Sequence, residues 1–258
     1  YQAAKVAIVF DYANMWALDD ARNYADETKK YWRTISEHYR YFWENDIAVD
    51  IISTEQDLTD YQLVIDPMHF LMSNDYAEKL AAYVKQGGQL VGTYITSVVD
   101  VSFLTHQGGW PQALKESYGI TIQETDTLYP QQSNHVLIGN KSYQAKDYCE
   151  VVSVVDAETI GTYENDFYKG TPALTKNSFG KGIAYYQACR LEDDFLDDFY
   201  AKITRKLGLK AQLPLKETNP TVSIQVREDK HDRYYFMINF SHEPITLEVT
   251  RDLVDVLT

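Results

Sequence analysis

Two aspartates of this 258-residue chain stand where an acid could hold a cation: Asp11 closes the apolar run from Lys5 to Phe10, and Asp66 closes Leu63 to Ile65. Carboxylates at the ends of parallel strands can bind Mg²⁺ and support phosphoryl chemistry. Neither a third acidic neighbour nor a strand-end lysine accompanies them. The simpler expectation is that Asp11 caps the segment after it and that Asp66 begins a turn at Pro67.

Other chemistries fare no better. Amidotransferase chemistry needs a cysteine at a tight strand-to-helix elbow, but the run from Gly92 to Thr96 has no thiol, and Cys149 and Cys189 lie in apparent strands, where a buried structural cysteine is the ordinary case. A phosphate or FMN cradle needs a glycine-rich loop, and Asp11 to Met15 contains no glycine. The histidines, His38, His69, His106, His135, His231 and His242, show no metal-ligand spacing to one another or to a cysteine. His38 is expected to be partly exposed on a helix. Retaining sugar hydrolysis needs two carboxyl groups about 5–5.5 Å apart, and no such pair stands out. Hence no catalytic, cofactor-binding or metal-ligating residue is assigned.

What remains are large aromatic residues in loops: Tyr12, Trp16, Tyr94 and Trp110. Amphipathic rings in such positions are typical interface anchors, and the four together predict a contact surface.

The elements that would position them are short. Lys5 to Phe10, Ala48 to Ile52, Leu63 to Ile65 and Gln89 to Tyr94 read as strands; Tyr31, Ile35, Tyr39 and Phe42 fall at helical spacing, as do Ala77, Leu80, Ala81 and Val84 before Gly87 and Gly88. This alternation predicts an α/β fold, a flavodoxin-like (class I glutamine amidotransferase-like), doubly wound, mainly parallel sheet. Further strands are expected at 150–155, 160–163, 173–175 and 183–189, with a closing helix from Asp193 to Leu207 capped by Gly208. Residues 1–208 would form this domain, 209–220 a proline-containing linker, and 221–258 a small antiparallel β unit with strands at 222–226, 234–239 and 245–249.

Composition bounds the partners. With 38 acidic and 24 basic side chains the net charge is −14, which repels nucleic acid and anionic membranes. No basic segment precedes a long apolar run, and two cysteines imply no disulfide framework, so a cytoplasmic protein is expected. A chain entering a strand at once, without Met, also reads as an excised piece.

Four stretches in order, residues 5–20, 41–53, 57–67 and 87–120, resemble the central trimerisation domain of glycoside hydrolase family 42 β-galactosidases. The resemblance runs over about residues 5–208, and the rest looks like the start of that family's C-terminal β-domain. It implies a homotrimer, no cofactor, and catalytic glutamates in an upstream (β/α)₈ barrel that would cleave terminal β-galactosides with retention. Two loops depart from the family pattern, Thr96 to Val101 and Gly109 to Leu114. A stand-alone flavodoxin-like module binding a small molecule or metal around Asp11 and Asp66 is the alternative.

Overall fold

The computed structural model describes residues 3–22, 28–250 and 252–254. β1 (Val6–Val9), β2 (Val49–Ile52), β3 (Leu63–Asp66) and β4 (Gln89–Thr93) run parallel, with β1 between β2 and β3 and β4 beside β3. β1, β3 and β4 are buried along their whole length, which explains why their sequences are continuous apolar runs and not alternating ones. α1 (Tyr12–Asp20), α2 (Tyr31–Glu44) and α3 (Asn74–Gln86) supply the crossovers. α3 is capped at its start by Ser73, whose hydroxyl accepts from the Tyr76 amide, and ends at Gly87 with φ 125°.

Beyond β4 the alternation stops, and the expected doubly wound, mainly parallel, flavodoxin-like sheet is not what forms. After α4 (Lys115–Tyr118) come β5 (Ile120–Thr127), β6 (Asn134–Ile138), β7 (Lys141–Val154), β8 (Glu158–Tyr163), β9 (Pro172–Phe179), β10 (Gly182–Gln187) and β11 (Cys189–Leu191). All join one 11-stranded mixed sheet, ordered β11-β7-β6-β8-β9-β10-β4-β3-β1-β2 with β5 on β7. Among the described residues it holds four parallel pairings, all within β1 to β4 and β10, against six antiparallel ones.

The reason lies in the connections. A parallel neighbour needs a crossover of about a dozen residues or more, whereas a two-residue turn forces an antiparallel return. β6 reaches β7 through Gly139 and Asn140, and β9 reaches β10 through Gly180 and Lys181. Gly139 and Gly180 take φ of 61° and 64°, the left-handed region that glycine enters without strain. β10 alone returns to the parallel half, at the free edge of β4. α5 (Asp193–Leu207) then packs against α2, with Phe195, Leu196, Phe199, Tyr200 and Ile203 buried.

The C-terminal segment forms a separate two-stranded antiparallel sheet, β12 (Val222–Glu228) with β13 (Arg233–Asn239). Among the described residues, the third strand expected at 245–249 does not form; Val249 makes an isolated bridge with Leu215. Nor is 209–220 a free tether: Leu213 is fully buried with Val222 and Ile224, and the Gln212 amide donates to the Asp46 carbonyl at 2.8 Å.

Candidate functional site

The C-terminal ends of β1, β3 and β4 gather the residues that could do chemistry. Asp11 caps α1, its Oδ1 accepting from the Asn14 amide at 2.8 Å. Asn14 is fully buried and works as a clamp: its Nδ2 donates to the Met68 carbonyl at 3.0 Å, and its Oδ1 accepts from the Leu71 amide at 2.9 Å. One side chain thus fixes the loop after β3 to the first helix.

Asp66 does more than open a turn. It is fully buried, and its Oδ1 accepts from His69 Nδ1 at 2.7 Å. Burial pulls the His69 pKa down, but the adjacent Asp66 carboxylate outweighs it and holds the imidazole above its ordinary value. With His69 2% exposed, this pair is closed to substrate.

The loop after β4 is bound just as tightly. Ile95 and Ser97 have φ of 60° and 56°, uncommon for residues with a side chain. The Ile95 amide donates to Glu150 Oε1 at 2.8 Å, and the Ser97 amide to the His69 carbonyl at 2.8 Å. Glu150, from β7, also accepts from the Tyr186 hydroxyl at 2.7 Å. Its complete burial pushes the carboxyl pKa up to about 8.

The four predicted aromatic residues part company here. Tyr12 and Trp16 are 62% and 64% exposed on α1, with ring centroids 6.0 Å apart. Tyr94 is a correction: it is 2% exposed, stacked on Tyr148, and its hydroxyl accepts from Arg190 Nε at 2.7 Å, so it offers no surface to a partner. Trp110 is half-buried; its carbonyl accepts from the Ile122 amide at 2.9 Å, while Gly108 and Gly109 take positive φ beside it. Sequence reasoning missed Trp32, 61% exposed, which meets Phe10 edge-on at 5.4 Å. Phe10 in turn meets Tyr12 at 4.9 Å. Phe10, Tyr12, Trp16 and Trp32 therefore make one ring cluster at the end of β1. Its signal was present in the sequence, as Trp32 directly follows Tyr31 on the outward side of α2.

His38 is a second correction. It is buried, not partly exposed, and shares a 2.5 Å hydrogen bond with the Tyr200 hydroxyl; burial, with Arg190 nearby, lowers its pKa to about 3. Cys149 and Cys189 face each other across β7 and β11 as free, buried thiols, and burial raises Cys149 to about 12. Among the described residues no group of three His, Cys, Asp or Glu could hold a metal ion, and no helix is long and apolar enough to cross a membrane.

The family model of the β-galactosidase trimerisation domain matches residues 4–210, and that of the β-galactosidase C-terminal domain matches 221–258. The chain belongs to the family 42 β-galactosidases. Within the family it is similar to β-galactosidase GalA of Bacillus licheniformis, 43% identical over 99% of this chain and 38% of that protein. To GanA of Bacillus subtilis it is 41% identical over the same shares. Among solved structures, a catalytic mutant of the family 42 β-galactosidase Gan42B from G. stearothermophilus is 46% identical with a TM-score of 0.90, over 94% of this chain and 35% of that one. The cold-adapted β-galactosidase of Rahnella sp. R3 is 35% identical with a TM-score of 0.91, over 97% and 38%. This family 42 chain thus spans 38% of the length of these two curated relatives.

Proposed function

We propose that the chain is the oligomerisation region of a family 42 β-galactosidase and is itself catalytically silent. The single observation that carries the reading is the match of the trimerisation-domain model over residues 4–210. Chemistry agrees with it: the fully buried carboxyl groups of Asp66 and Glu150 are occupied by His69, Ile95 and Tyr186 and out of reach of a substrate. Hydrolysis of terminal β-galactosides with retention would belong to a barrel elsewhere in the whole polypeptide, and this region would hold three such polypeptides together. Residues 1–208 would carry the assembly, with 221–258 as an accessory β unit.

The exposed rings of Tyr12 and Trp16, extended by Trp32, form the contact surface in this reading, with half-buried Trp110 as a further candidate. Two unbridged thiols go with a reducing compartment, hence the cytoplasm. Light scattering on a sizing column tests assembly: the expected mass is three times the 29.8 kDa of one chain. A nitrophenyl β-galactoside assay tests silence, and appreciable turnover by this chain would overturn it.

A further inference from the structure

A cleft of about 210 Å³ opens between α5 and the sheet face made by β8, β9 and β10. Its wall is a chain of aromatic contacts. Tyr143 meets Phe195 edge-on at 5.4 Å, Phe195 stacks on Phe199 at 5.2 Å, and Tyr185 meets Phe199 edge-on at 5.5 Å. Leu174 and Ile160 complete an apolar interior.

The rim is cationic, on a chain whose net charge is −14. Lys202 and Lys206 stand one turn apart on α5, and both are exposed. Neither makes an ion pair among the described residues; Lys202 touches Asp198 only through its field. The other charges at the cleft are already engaged. Asp198 accepts from Lys141 at 2.6 Å and from the Tyr143 hydroxyl at 2.8 Å, and Lys176 donates to Glu158 at 2.9 Å.

Size and chemistry narrow the occupant. An apolar cavity of about 150 Å³ takes up benzene, so this one has room for a single ring or short alkyl chain and a little more. A neutral sugar would offer no countercharge to the two lysines at the mouth. A charged end would find the two lysines at the mouth. We propose that the cleft binds a small amphipathic carboxylate, its ring or chain among Tyr185, Phe195 and Phe199 and its anionic end at Lys202 and Lys206.

Calorimetric titration of the chain with 4-phenylbutyrate, 4-phenylbutanol and galactose tests this. The acid is expected to bind more tightly than the alcohol, and galactose not at all. The double variant K202Q/K206Q, confined to exposed positions, should weaken the acid about fivefold and leave the alcohol unchanged. Ile160→Trp, which fills the interior, should abolish both. No heat from the acid, equal affinity for acid and alcohol, or an unchanged acid affinity in K202Q/K206Q would each overturn the proposal; the lysine variant decides the matter even if Ile160→Trp fails to fold.

Discussion

Glu150 and Ile95 are joined by a 2.8 Å hydrogen bond, from the amide of the loop after β4 to a carboxyl oxygen in the middle of β7. The bond ties the parallel half of the sheet to the antiparallel half, and it holds Ile95 at φ 60°. Because burial lifts this acid to about 8 from an ordinary 4.5, the folded chain binds the proton more tightly than the unfolded one. The stability this confers is complete below the unfolded value and is lost as pH rises through about 8. Urea denaturation at pH 5 and pH 9 should show the loss, and Glu150→Gln should flatten it. An equal pH slope in the variant would assign the effect to other groups.

Arg190 offers a second test. Its guanidinium donates to the Tyr94 hydroxyl and Thr34 Oγ1, each at 2.7 Å, and to Asp147 at 3.1 Å, while it lies 5.7 and 5.8 Å from the rings of Tyr94 and Tyr148. A lysine cannot present that planar fork. Arg190→Lys should therefore destabilise by about 2–4 kcal/mol, since it strands buried partners. The midpoint of chemical denaturation reads this directly.

Gly92 is expected to resist enlargement. A Cβ there would stand 2.7 Å from Tyr118 Cζ and closer still to its hydroxyl. Gly92→Ala should lower stability by about 1–3 kcal/mol. Combined with Tyr118→Leu, the two losses should be less than additive, and strict additivity would show that the ring is not the obstacle.

The exposed rings make the opposite prediction. Tyr12→Ser with Trp16→Ser removes side chains that are more than half exposed on a single chain, so its fold should be kept, read as an unchanged circular dichroism spectrum. If these rings hold copies together, native mass should fall toward that of one chain. A trimer that survives the double change would move the contact elsewhere.

Much of the parallel half was legible. Leu63 to Ile65 and Gln89 to Tyr94 are short apolar runs, and Ala77, Leu80 and Val84 repeat at helical spacing before a glycine stop. The segments of β7 to β10 were visible as strands, but the direction in which a strand runs depends on its connection, and Gly139-Asn140 was not read as a turn. Burial of polar groups was least legible. Asn14, Glu150 and Arg190 look like surface residues in the sequence, and each is satisfied by partners distant along the chain: Met68, Ile95 and Tyr94. Tyr94 and His38 were misplaced for the same reason.

The pairing of β4 with β10 bears on how the chain comes into being. Gln89 lies opposite Ile183, with β5 to β9 between them in sequence. During synthesis β4 emerges before β10 and keeps a bare row of amides and carbonyls until residues 182–187 leave the ribosome, an open template for any other strand in reach. Such a long-range closure is slow, and nascent chains crowded on one message are exposed to mispairing in that interval. The dangerous moment for this protein is before β10 exists.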